Sequence, residues 1–167
     1  MALGMAIILI IFVTLWPAIR ERAMLTQNLK AARAMLLVLK FYESDIGHLP
    51  EISAAPGVPA FEELMEKSEA AGYLDWPEAL YWQDPRTGER IPWVFLPIES
   101  VEGSFSRRPV FISPRPYGKG KYVIAYAGGQ VVMEQTDAEE AQTWQELISK
   151  SEDLWEKSPP DPVPSHP

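Results

Sequence analysis

The stretch MALGMAIILIIFVTLWPAIRERAMLTQNLKAARAMLLVLKFYESDIGHLP, residues 1–50, decides how the whole chain is read. Its first eighteen residues carry no charged side chain. That length sits at the lower edge of what spans a bilayer as a helix. Three readings compete. A cleaved secretory signal needs basic residues before the apolar core and a small-x-small site after it. Here nothing basic precedes the core, and Trp16-Pro17-Ala18-Ile19-Arg20 is a poor cleavage site. A buried core helix does not suit a terminal segment that is apolar all round. A membrane anchor fits best, with Ile7, Ile8, Leu9, Ile10, Ile11, Phe12, Val13 and Leu15 meeting lipid or neighbouring helices.

Beyond Pro17 the helical pattern resumes. Ala18, Leu25, Leu29, Ala32, Leu36 and Leu39 recur at spacings of three, four or seven, and Met35, Val38 and Tyr42 widen the stripe. Arg22, Lys30, Arg33 and Lys40 occupy other faces. Gly47 supplies a helix stop and Pro50 an extended exit. The spacing predicts one helix from Ala2 to about Asp45, roughly 66 Å long at 1.5 Å per residue, with Pro17 as the place for a bend. The competing reading is two separate helices.

Charge divides the chain. Between Ala18 and Tyr42 there are five basic residues and one acidic, a balance of +4; the whole 167-residue chain carries −8, so the remainder carries −12. An acidic chain does not bind nucleic acid through a broad basic surface. The positive-inside rule, applied to this flank alone, puts it in the cytoplasm. Cysteine is absent, which excludes disulfides, thiolate metal sites and a cysteine nucleophile; two histidines, His48 and His166, leave little room for histidine-based chemistry.

The helix ends in Phe41-Tyr42-Glu43-Ser44-Asp45-Ile46-Gly47-His48-Leu49-Pro50. This phrase, following an apolar helix with a proline midway, resembles the type IV pilin and type II secretion pseudopilin superfamily. Members carry such a helix, half in the membrane and half packed on a small sheet. Prepilins also begin with a basic leader, a glycine cleavage site and a Phe-Thr-Leu-Ile-Glu-like phrase. When Pro17 is matched to the family's mid-helix proline, Met1 falls just after the expected glutamate. The expectation is therefore a start codon upstream of Met1, preceded in frame by basic and Gly-Phe-Thr-Leu-like residues. The family's orientation is opposite to the one that the basic flank alone implies.

Residues 51–60 hold two prolines, directly after Pro50, and read as a loop. Pro59 is suited to the first turn of a short helix ending at Gly72, with Phe61, Leu64, Met65 and Ala71 inward. Asp84-Pro85-Arg86-Thr87-Gly88 reads as a turn. Strands are expected at Ile91, at residues 93–96, at 109–113, at 121–126 and at 130–134, the last two joined by a hairpin at Gly128-Gly129. Thr136 and Asp137 open a final helix with Trp144, Leu147 and Ile148 inward, and residues 158–167 form a Pro-rich disordered tail. The order of Tyr81-Trp82-Gln83-Asp84-Pro85-Arg86-Thr87-Gly88, Trp93-Val94-Phe95-Leu96-Pro97, Phe111-Ile112-Ser113-Pro114 and residues 123–131 is similar to the pseudopilin-like branch of planctomycetes and verrucomicrobia. Gly128 stands where that branch has Asp and Gln130 where it often has His, so no ligand role is carried over.

Each candidate site in the sequence has a plainer reading. Glu62, Glu63, Glu66 and Glu69 are better a solvated helix face than an acid–base pair. Gly118-Lys119-Gly120-Lys121 lacks the phosphate-loop frame and reads as a surface loop. Arg107, Arg108, Arg115, Lys119 and Lys121 form a basic cluster suited to the acidic face of a neighbouring subunit. His48 is a turn residue, and Trp76, Trp82 and Trp93 are packing residues around a sheet edge. Asp137, Glu139 and Glu140 are helix capping. Hence no catalytic residue, cofactor or metal is expected.

The expectation is an α+β chain: an apolar half-helix (1–18), an amphipathic half-helix (19–50), a globular domain on an antiparallel sheet (51–157) and a tail (158–167). The resemblance implies a non-enzymatic, single-pass subunit of the bacterial inner membrane with its globular domain periplasmic or extracellular. Its partners are the lipid bilayer and other pilin-like subunits, bound through the N-terminal helix into homo- or hetero-oligomers, with no nucleic acid. The alternative is a single-pass protein with a periplasmic binding or sensory domain that never polymerises.

Overall fold

The computed structural model describes residues 2–98, 101, 108–117 and 120–135, with side chains from Phe12 onward except at Val13 and Gln135. The final helix expected from Thr136 and the Pro-rich tail lie outside the described residues. The element order is α1 (Ala2–Ile46), α2 (Val58–Ala70), a 3-10 turn (Pro77–Leu80), β1 (Trp82–Gln83), β2 (Arg90–Ile91), β3 (Val94–Phe95), β4 (Pro109–Ile112), β5 (Lys121–Tyr126) and β6 (Val131–Gln135). Strands β3 to β6 form one antiparallel sheet in chain order, and β1 and β2 form a separate antiparallel pair. The class is α+β, with a long N-terminal helix and small antiparallel sheets.

Helix α1 is one element of 45 residues with Pro17 inside it. The two-helix reading is therefore set aside. The missing N–H of a proline removes one hydrogen bond, and neighbouring turns maintain the helix here. The helix stops where glycine allows it. Gly47 takes φ 86° and its N–H reaches the Glu43 carbonyl at 2.8 Å, a left-handed position that glycine adopts without steric cost. Leu49 and Pro50 are buried directly beyond.

One face of α1 enters the core. Met24, Ala31, Ala32, Met35, Leu36 and Leu39 are buried, with Leu25 and Leu29 partly so. Ala18, placed by its spacing on the same stripe, is exposed, because the domain covers the helix only from Met24 onward. Against this face lie the 3-10 turn, β1, β5 and β6. Helix α2 adds Ala60, Phe61, Leu64 and Met65. Ala71, expected inward, is exposed, since the helix has ended and Gly72 turns the chain away at φ 79°.

The sheet contributes alternate residues to each side. Phe95, Phe111, Val123 and Ala125 join the α1 core, while Val94, Leu96, Ile112, Tyr122 and Ile124 form a second buried cluster. Phe111 stacks on Phe95 and meets Phe61 edge-on. The β3 edge is closed by Gly57, which exchanges two backbone hydrogen bonds with Phe95. The hairpin expected at Gly128-Gly129 forms between β5 and β6. Gly129 donates to the Tyr126 carbonyl at 2.8 Å, Tyr126 donates to Gln130, and of the two glycines only Gly129 has positive φ. This is a three-residue loop over residues 127–129 with the left-handed residue last.

Strand β1 escaped the sequence reading, and its partner explains why. Asn28, 1% exposed within the buried face of α1 one turn past Met24, accepts from the Gln83 N–H and donates to the Gln83 carbonyl, both at 2.8 Å. Its carboxamide thus completes β1 as a neighbouring strand would. The same amide also donates to the Tyr117 hydroxyl. Replacing Asn28 by Ala strands the Gln83 backbone pair, so the domain should lose about 2–4 kcal/mol, since each orphaned buried group costs about 1–3. Urea unfolding of the full chain measures this, and a loss under ~0.5 kcal/mol contradicts the role.

Candidate functional site: the two faces of the long helix

The residues singled out for membrane and bundle packing all belong to α1. Ile7 to Ile11 and Val13 lie within the helix, and their side chains are outside the described set. Phe12 and Leu15 are exposed, at 57% and 53%, as are Trp16 and Ile19, and Phe12 stacks on Trp16 at 5.0 Å. Every described side chain from Phe12 to Ala23 is exposed. Among the described residues no helix is long and apolar enough to cross a membrane; most of the apolar stretch lies in the side chains not described.

Further along, α1 keeps a second apolar face opposite the core. Leu37 and Phe41, one turn apart, are 53% and 60% exposed. Spacings of three and four run from Phe12 through Trp16, Ile19 and Ala23, and again through Ala34, Leu37 and Phe41. Between and beside these stretches stand Lys30, Arg33 and Lys40, all exposed. The stripe expected from Leu25 to Leu39 is the face the domain covers, whereas the second face, at Leu37 and Phe41, lies outside that stripe.

Two polar locks hold the helix in this attitude. The first is Asn28. The second is Glu43, a buried acid in the last turn that accepts from the Val101 N–H at 2.9 Å. Neither was predicted. The readable signal was a polar side chain placed within an apolar stripe, most plainly Asn28 between Met24 and Ala32. Burial pushes the Tyr117 hydroxyl up to about 12, against the opposing donation from Asn28, so Tyr117 stays protonated at neutral pH.

The Asp84–Gly88 turn forms as expected and serves as an anchor. Asp84, 3% exposed, accepts from the Arg86 and Thr87 N–H groups and from Arg115, the last at 2.8 Å. Burial raises its pKa, but these donors outweigh burial and hold the carboxyl below its usual range. Arg20 closes over the turn so tightly that a Cβ on Gly88 would lie 2.8 Å from its guanidinium. Arg115 is thereby committed within its own chain. Of the expected basic cluster, Arg107 and Lys119 lie outside the described residues. Trp82 and Trp93 are fully buried, and the Trp93 indole donates to the Leu80 carbonyl. Trp76 is 79% exposed and packs no sheet edge, because it precedes the 3-10 turn on a loop. Glu63, grouped with the solvated carboxylates, instead binds Lys67 and the Ser53 and Ala54 N–H groups, which lower its pKa to about 2.

No family model matches the chain, nor does any curated protein or solved structure.

Both Asp84 and Glu63 are depressed in the folded state, so their contribution to stability is complete above the unfolded carboxylate range, about pH 4, and is lost as pH falls through the folded values. The urea midpoint should therefore fall steeply between about pH 4.5 and 2.5. The double variant Asp84→Asn, Glu63→Gln should show a flatter dependence over that window. An unchanged slope contradicts the assignment.

Proposed function

We propose that this chain is a membrane-anchored, pilin- or pseudopilin-like structural subunit of a type II secretion or type IV pilus-like filament, acting by helix-mediated assembly. The observation that carries the reading is the division of α1. Every described side chain from Phe12 to Ala23 is exposed, and from Met24, the first described side chain that is buried, the helix serves as the spine of an α+β domain. The free part holds Phe12, Leu15, Trp16 and Ile19 in the open, where such a run gains by leaving water. The apolar sequence of residues 1–18 supports a bilayer as the place where the subunit waits, in a bacterial inner membrane with the domain on the periplasmic or extracellular side. Packing with like helices supports the assembled state.

In this reading the chain performs no catalysis. Its parts have mechanical tasks: the apolar run anchors and bundles, Pro17 allows a bend, and the face from Met24 to Leu39 fixes the domain to the helix. Substituting Ile10→Asp or Phe12→Asp in the full chain should abolish membrane retention, because a central Asp costs roughly 2.5–3.5 kcal/mol on insertion. Unchanged fractionation contradicts the anchor. Leu15→Cys, in a chain otherwise without cysteine, should give interchain disulfides in membranes under mild oxidation. A retained but strictly monomeric Leu15→Cys chain would instead favour the non-polymerising single-pass alternative.

A further inference from the structure

The covered half of α1 still presents an apolar and basic outer face, and the same molecule carries an acidic face with which to meet it. On α1 the exposed Leu37 and Phe41 are flanked by Lys30, Arg33 and Lys40, none of which has an ion pair among the described residues. On α2, Glu62, Glu66 and Glu69 recur at four and three residues on the exposed side and likewise have no ion pair among the described residues. The one cation of α2, Lys67, is held by Glu63. Buried neighbours in α2 are Phe61, Leu64, Met65 and Ser68, so its acidic stripe faces away from the core.

We infer that the Leu37–Phe41 face of α1 docks on the acidic face of α2 in a second copy of this chain. This deepens, and rests on, the assembly reading above. The occupant follows from charge. Three cations without an ion pair among the described residues, beside two exposed apolar side chains, call for an acidic partner surface, and α2 presents three carboxylates in a row. The two surfaces are different, so the contact is heterologous. Each copy offers its α1 face to one neighbour and its α2 face to another, a relation that propagates as an open helical array unless the rotation closes. The basic collar and the acidic domain thereby become complementary halves of one repeating contact.

Cysteine substitution tests this directly in the full chain in membranes. A chain carrying both Leu37→Cys and Glu66→Cys should form a ladder of dimers, trimers and larger species under mild oxidation, and Leu37→Cys alone should form none. Adding Arg33→Glu and Lys40→Glu should reduce the ladder roughly tenfold, and further adding Glu62→Lys and Glu69→Lys should restore it. Dimers from Leu37→Cys alone indicate a symmetric interface and overturn the inference. Protection of Leu37→Cys from thiol reagents by anionic vesicles, without a ladder, gives the face to lipid and also overturns it. A Leu37→Cys, Leu147→Cys chain that closes within the monomer gives the face to the C-terminal segment, with the same result. Where Leu15→Cys cross-links form but this ladder does not, the contact is wrong and the assembly reading stands; where neither forms, both fall.

Discussion

A helix with apolar side chains on opposite faces can be covered on only one of them by a sheet of short strands, and the rest of this structure follows from that limit. At 1.5 Å per residue, the 45 residues of α1 extend roughly 68 Å, whereas the longest strand among the described residues has six residues and reaches about 20 Å. The domain therefore covers α1 from Met24 to Glu43 and leaves the described side chains from Phe12 to Ala23 in the open. An isolated helix is marginal in water, and most helical stability in proteins comes from packing of one face. The covered half supplies that packing. The proposed role gives the uncovered half its packing from lipid and from other copies.

Such a domain has to hold the helix firmly, because any force applied through the free half is transmitted to the covered one. Apolar contact alone permits sliding along the axis. Asn28 opposes sliding through paired bonds to one strand residue, and Glu43 does so through a bond to Val101, at opposite ends of the covered segment. Buried side-chain amides of this kind fix register as well as adding stability. Arg20 over Gly88, with Asp84 and Arg115 beneath, braces the point where the helix leaves the domain.

Much of the fold was legible in the sequence, for definite reasons. The stop at Gly47, the strand at 121–126 and the Asp84–Gly88 turn each depend on local chemistry: a left-handed glycine, a β-branched run, a proline with a fixed φ. What stayed hidden depends on distant partners. Strand β1 has two residues, and its outer side is completed by an amide 55 positions away in sequence. Ala18 has the right periodicity for the core, but no sheet reaches it. Gly128-Gly129 signals a hairpin without telling which glycine is left-handed, since the loop begins one residue earlier. Of the proposed site, the apolar run was plain from residue type, while the second face at Leu37 and Phe41 emerged only when the covered face was known.

Anchoring and docking through α1 both require it to be a single unbroken element that joins an uncovered half to a covered one. A spin-label distance across it tests this most directly. Thr14→Cys and Ser44→Cys are both exposed positions in a chain without native cysteine, and dilution with unlabelled chain removes contributions from neighbours. One continuous helix predicts a narrow distribution centred near about 45 Å, thirty residues at 1.5 Å each. A broad distribution, or a maximum below about 35 Å, would mean a helix broken between its two halves and would contradict the account.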